Sequence, residues 1–220
     1  IFHSETADVT TVINWGFQGE PCAAAWESDR QQLDFFLPEA SECYRRVAEA
    51  LPGADMELVS FSRDNRRAVV ETHGARDPGT FYLLDRSTGQ LGLLGTGLAS
   101  LKAEDLAPSP AFPFPPSAGL TVGGRITRPE GIAHPPLIIQ IGPSIPGPRA
   151  SNRYDSVAQY FASRGFASAR INIRGTPGFG GSFQRAGDLQ LTTGMVNDLE
   201  DGANWLSAQG WCDPRRIALL

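Results

Sequence analysis

Serine, histidine, carboxylate and glycine residues are spaced in this chain so that several chemistries can be set aside before one is favoured. Gly142-Pro-Ser144-Ile-Pro146 and Gly180-Gly-Ser182-Phe-Gln184 each begin as a nucleophile elbow would, and each lacks the closing glycine of Gly-x-Ser-x-Gly. His3, His73 and His134 lie far apart and outside any H-E-x-x-H pattern, so they read as turn or surface residues, not metal ligands. Asp198, Glu200 and Asp201 fall on one helix, with Asp198 and Asp201 at i and i+3, the spacing of a solvated face or of salt bridges. Gly175-Thr-Pro-Gly-Phe-Gly-Gly181 departs from the G-x-G-x-x-G spacing and contains Pro177, Gly95-Thr-Gly97 lacks a third glycine, and no G-x-x-x-x-G-K-[ST] loop occurs. Cys22, Cys43 and Cys212 are odd in number and never spaced as C-x-x-C, which favours buried thiols over a disulfide framework or a zinc knuckle. Neither a cofactor nor a metal is therefore expected. What remains is the glycine loop itself. It follows an apolar run over 166–173 and precedes a helix, which is where ligand chemistry commonly sits in α/β proteins, because glycine permits positive φ and close backbone approach.

The elements that must hold this loop can be read from periodicity. Residues 10–17, 22–26, 56–62, 67–72, 81–85 and 90–94 alternate as strands, with Ser62-Arg-Asp-Asn65 and Asp85-Arg-Ser-Thr-Gly89 as tight turns. Such strands predict a meander of the sandwich or propeller kind. One helix interrupts them: Pro38 suits its first position, and Ala40, Cys43, Tyr44, Val47 and Leu51 keep its period up to Pro52-Gly53. Five prolines between Ala107 and Pro116 remove amide donors and read as an extended boundary between two domains, 1–106 and 107–220. Beyond it come strands at 120–127 and 137–141, a helix with Tyr154, Val157, Ala158 and Phe161 on one stripe and Gly165 after its end, and the strand at 166–173. A second helix follows with Met195, Val196, Leu199, Ala203 and Leu206 on its inner face, Thr192 or Thr193 as N-cap and Gly210 as terminator, and then a strand at 217–220. This alternation predicts a parallel sheet with right-handed crossovers.

The net charge of -5 and pI near 5.2 argue against nucleic acid, whose binding rests on clustered cations. The basic residues are 18 arginines and the single Lys102, and the arginines are scattered. No apolar run reaches the roughly 18 residues that span a bilayer, so a soluble protein without membrane contact is expected, cytoplasmic or periplasmic. The chain begins at Ile1 without an initiator methionine and stops on the apolar run Ile217-Ala-Leu-Leu220, so it reads as cut at both ends.

Arg128-Pro-Glu, Pro136-Leu-Ile-Ile, Gly142-Pro143, Arg164-Gly-Phe166, Asn172-Ile-Arg-Gly175, Gly178-Phe-Gly180, Asp198, Trp205-Leu206, Gly210 and Asp213-Pro-Arg-Arg-Ile217, in this order and spacing, resemble the first part of the hydrolase domain of the prolyl oligopeptidase family. Ser60-Phe-Ser-Arg-Asp64 and Asp77-Pro-Gly-Thr-Phe-Tyr-Leu83 are similar to the end of the β-propeller that precedes that domain. The resemblance implies α/β plus β architecture: the last part of a propeller over 1–106, then the N-terminal part of an α/β-hydrolase sheet over 107–220. It implies a serine peptidase that cleaves short peptides through an acyl-enzyme, with serine, aspartate and histidine all expected beyond Leu220, so that the chain itself holds no catalytic residue. It also implies an oxyanion-hole donor at the N–H of Gly142, where Gln140 and Ile141 stand in place of the family's usual His-Gly; Gly142 as a plain turn glycine is the bland reading. Asn172, Arg174 and Phe179 are implied as walls of the substrate pocket, with a structural ion pair for Arg174 and packing under the loop for Phe179 as their alternatives. An ester hydrolase on the same scaffold and a non-catalytic binding product are the rival functions.

Overall fold

The computed structural model describes residues 7–114, 120, 122–141 and 145–220, and within them the chain forms two compact units. One comprises Val9–Asp105 with Asn152–Tyr154; the other comprises Leu106–Ser151 and Asp155–Leu220, together with Ala7 and Asp8. No helix among the described residues is long and apolar enough to cross a membrane.

The first unit is β-rich. Strands β1 (Val9–Trp15), β2 (Glu20–Glu27) and β3 (Gln31–Phe35) form one antiparallel sheet, and after helix α1 (Pro38–Ala50) the strands β4 (Asp55–Phe61), β5 (Arg67–Gly74), β6 (Asp77–Asp85) and β7 (Leu91–Thr96) form a four-stranded meander. Chain order and spatial order coincide in the meander because each pair of strands is joined by a turn that its own residues close. In the β4–β5 turn Asp64 accepts from Arg66 N, while Asn65 takes a φ of 56°. In the β6–β7 turn Asp85 accepts from Ser87 N and Thr88 N, and Gly89 supplies a φ of 77°. α1 starts at Pro38, as its sequence requires, and lays Ala40, Tyr44 and Val47 against Ile13, Trp15, Cys22, Leu58, Val70 and Leu84. The Tyr44 hydroxyl accepts from Leu58 N at 3.2 Å, so this buried phenol ties the helix to β4.

His73, paired with Asp55 across β4 and β5, is buried, and its Nδ1 has no hydrogen-bond partner. Burial first, and then the Arg153 guanidinium, hold this imidazole below its usual pKa, against the opposing pull of Asp55 and Asp77. The folded protein therefore binds the His73 proton less readily than the unfolded chain. That contribution to stability is complete above about pH 6.5 and is lost as pH falls further. Urea midpoints measured from pH 8 to pH 5 should fall less steeply in His73→Asn than in the parent; equal slopes would count against it.

The second unit is α/β. Strands β8 (Ala111–Phe114), β9 (Val122–Thr127), β10 (Leu137–Ile139), β11 (Ala167–Asn172) and β12 (Ile217–Leu219) make one sheet in the order β12-β10-β11-β9-β8. β10 pairs parallel with both neighbours, whereas β9 runs antiparallel to β11 and β8 antiparallel to β9. The expected all-parallel sheet is thus mixed. The expected proline linker is also corrected in part: Ala111-Phe-Pro-Phe114 is a strand that buries Phe112 and Phe114, with Pro113 tolerated because β8 lies at the sheet edge. The carbonyls of Pro108 and Pro110 accept from Arg128 N and Ile126 N, so alternate residues turn toward β9 and Pro113 turns toward the open edge.

Helix α2 (Ser156–Ser163) is N-capped by Asp155, whose carboxylate accepts from Ala158 N at 2.9 Å, and it is followed by Gly165 at a φ of 86°. Helix α3 (Gly181–Arg185) occupies what the sequence presents as open loop. Helix α4 (Gly194–Ala208) has Thr193 at its N-cap position, but that hydroxyl bonds Gln190 Oε1 at 3.1 Å and no side chain caps the helix. Ala203 and Leu206 of α4 pack on Phe112, Phe114, Ile126, Ala167 and Ala169, and stacked Phe112 and Trp205 rings, 5.5 Å apart, close that face. Ser168 and Arg170 point to the opposite face, toward Gln140 and Asp155, which is where α2 begins.

Candidate functional site

Strand order concentrates the loops of interest. From β10 the chain passes through α2 to β11 on one side, and from β11 it crosses back through α4 to β12 on the other side of β10. A reversal of this kind opens a crevice at the carboxyl ends of the parallel strands, where ligands bind in open α/β sheets. Here the crevice is lined by Gln140, Ile141, Pro148, Asn172, Thr176 and Leu199 among the described residues, with a volume of about 20 Å³. That is room for roughly one water molecule, well short of a substrate. Gly142 lies outside the described residues, as do Ser144 and His3.

Asn172 ends β11 with its side chain in the crevice wall and buried, and its Oδ1 accepts from Ala150 N at 2.8 Å. Arg174 does not line the crevice. Its guanidinium turns to Asp198 on α4 and makes a bidentate pair, Nε to Oδ2 at 2.9 Å and Nη2 to Oδ1 at 2.7 Å. Its main-chain N–H adds a third bond to the same carboxylate, 2.7 Å from Oδ2. Asp198 is 1% exposed, so of its two readings from spacing the salt bridge is observed and the solvated face is not. The carboxylate at hydrogen-bond distance holds the Arg174 guanidinium above its usual range against the opposing effect of burial.

The glycine loop then follows. Gly175, Gly178 and Gly180 have φ values of 90°, 93° and 88°, and a Cβ on Gly175 would stand 3.2 Å from Gly187 Cα, so both backbone freedom and space require glycine there. Phe179 is half-buried, 4.9 Å from the Phe183 ring, with the Arg149 guanidinium 3.8 Å above its face. It packs within the loop and is not part of the crevice lining. Asp8 and Arg149, which sequence reasoning passed over, both meet this loop: Asp8 through the Gly178 and Gly180 N–H groups, Arg149 through the Gly178 carbonyl. Nothing local in the sequence marks either, because their partners are far along the chain.

Of the other nucleophile and base candidates, Ser182 lies on α3 and is exposed, His134 is exposed beside Gly210, and His73 is in the other unit. No hydrogen bond joins a serine to a histidine among the described residues. The β-rich unit holds a separate cavity of about 150 Å³ lined by Glu39, Glu42, Cys43, Arg46 and Arg86. Burial pushes the Cys43 thiol up, which disfavours the nucleophilic thiolate despite the adjacent Arg86.

Comparison with known proteins bears on this arrangement. Residues 152–220 match the sequence profile of the prolyl oligopeptidase family. Dipeptidyl aminopeptidase BIII of Pseudoxanthomonas mexicana is 27% identical over 180 residues, which are 78% of this chain and 26% of that protein. This chain therefore spans about a quarter of the length of that relative. Among solved structures, a prolyl endopeptidase superposes on the whole chain, 32% of its own length, with a TM-score of 0.71 at 16% identity. A Mycobacterium tuberculosis puromycin-hydrolyzing peptidase covers 90% of this chain and 31% of its own, with a TM-score of 0.65 at 23% identity. At such identities the structural likeness speaks to the fold. The order of motifs from Arg128 to Ile217 and the profile match of residues 152–220 point the same way, toward the prolyl oligopeptidase family.

Proposed function

We propose that this chain is part of a serine-type oligopeptidase that hydrolyses short peptides through an acyl-enzyme, and that it contributes one wall of the active site. In this reading residues 1–106 are the C-terminal portion of a β-propeller and residues 107–220 the N-terminal portion of an α/β-hydrolase domain. The observation that carries it is the reversal of strand order at β10, which brings Gln140, Ile141 and Asn172 to the wall of one crevice. A backbone N–H at Gly142 would donate to the oxyanion of the tetrahedral intermediate, an interaction typically worth about 3 kcal/mol in the transition state. Asn172 would hold the neighbouring wall by fixing Ala150, and Arg174 would hold it indirectly through Asp198. The serine, aspartate and histidine would come from sequence after Leu220, with the serine attacking the peptide carbonyl and the histidine taking its proton.

The test uses the protein with its full reading frame. A fluorophosphonate should label one serine C-terminal to residue 220, and short peptide anilides should be turned over faster than acyl esters of the same acyl group. Labelling of a serine within residues 1–220, or no labelling at all, would overturn the proposal; preference for the esters would replace peptidase by esterase.

A further inference from the structure

The glycine loop already holds a carboxylate, and it comes from the far end of the sequence. Asp8 Oδ2 accepts from Gly178 N and from Gly180 N, each at 3.1 Å. The two donors belong to alternate residues at φ values of 93° and 88°, so both N–H groups turn to one point. A concavity of main-chain N–H groups of this kind is an anion site. Arg149 adds cationic charge: Nη1 donates to Gly178 O at 2.7 Å while its guanidinium lies 3.8 Å over the Phe179 ring. No acidic residue occurs between Arg174 and Gly187, Arg185 lies within that stretch, and the charge of Arg174 is taken up by Asp198. The loop thus presents main-chain donors beside Arg149 and has no carboxylate of its own.

We propose that residues 175–181 form a carboxylate-binding site which Asp8 fills from within the chain, and that a peptide carboxylate takes the same two N–H donors when Asp8 withdraws. The choice of a peptide as the external ligand rests on the peptidase reading; the site itself does not. Asp8 is then a built-in competitor: it keeps the loop ordered in the resting protein and sets the affinity that an incoming carboxylate must exceed.

Amide resonances of Gly178 and Gly180 report the site directly, without turnover. In the parent protein both amide protons should lie downfield as donors to a carboxylate, and that shift should be lost in Asp8→Ala. Titrating N-acetyl-dialanine into Asp8→Ala should restore the downfield shift saturably, while its C-terminal amide should not. N-acetyl-aspartate amide distinguishes an acidic side chain from a chain terminus as the source. The parent should respond to the same ligands at several-fold higher concentration. Asp8→Ser, which keeps a polar side chain, serves should the alanine variant fold poorly. Unchanged glycine resonances on replacing Asp8, or no response of the variants to any carboxylate, would overturn the proposal. Carboxylate binding without serine labelling of the full reading frame would keep the site and remove only the peptidase reading.

Discussion

Replacing Asp198 by alanine should lower the unfolding free energy of the α/β unit by about 3–5 kcal/mol, the usual result of removing one partner from a buried ion pair. The Arg174 side chain is 11% exposed and the Asp198 side chain 1%, and all three donors that meet this carboxylate come from Arg174. Without the carboxylate a main-chain N–H would lose its acceptor under α4, and the guanidinium would keep only the weaker attraction of Asp201. Gly194 leaves the arginine its place under the helix, since a Cβ there would stand 2.6 Å from Arg174 Nη1. Asp198→Asn should cost less, since an amide oxygen can still accept from the backbone. Arg174→Met combined with Asp198→Leu should recover much of the loss, because both charges leave together. Urea denaturation of the three variants checks this. A loss below about 1 kcal/mol in Asp198→Ala, the range of an exposed pair, would show that the pair is solvated in solution.

Gly124→Ala should cost about 3 kcal/mol, at the upper end of ordinary overpacking. A Cβ there would stand 2.3 Å from the carbonyl oxygen of Arg170 in the neighbouring strand and 2.7 Å from the Phe112 ring. The first obstacle is main chain held in the β9–β11 ladder, so relief requires the two strands to separate. Gly202→Ala is the instructive contrast. Its nearest obstacle is also close, 2.6 Å, but it is Ile171 Cδ1, the free end of a side chain that can change rotamer. The two substitutions add the same methyl group to the same core, and denaturation midpoints should separate them clearly. Equal midpoints would mean that backbone and side-chain obstacles yield alike here.

Much of the architecture was legible. The periods of α1 and α4, the apolar runs of β10 and β11, and the glycine after α2 are local signals, and each element stands within a few residues of where those signals place it. What the sequence concealed has physical causes. β3 offers only Leu33 and Phe35 among polar residues, and it is fixed by pairing with the apolar β2, where Leu33 meets Ala25 and Phe35 meets Ala23. β8 was hidden by Pro113 and the prolines flanking it in sequence, although the Phe112 and Phe114 alternation is a strand period. The antiparallel pairing of β9 with β11 depends on which strand comes to lie beside which, and that information is not local. For Asp198 the spacing left a solvated face and a salt bridge equally open, because a helical period sorts residues by apolarity and a buried carboxylate looks like solvent-facing polarity until its arginine is found. The glycine loop was flagged from its composition, yet the carboxylate it holds is 170 residues from Gly178 in sequence.

The proline in β8 has a consequence for how the sheet can be extended. Pro113 faces outward at a position where an added strand would look for a donor, and at Ser109 the carbonyl already accepts from Arg125 Nη2 at 2.6 Å. β12 lies at the opposite margin and carries no proline. A strand added beside β8 would therefore forgo one ladder bond at Pro113, whereas one added beside β12 would meet no such gap.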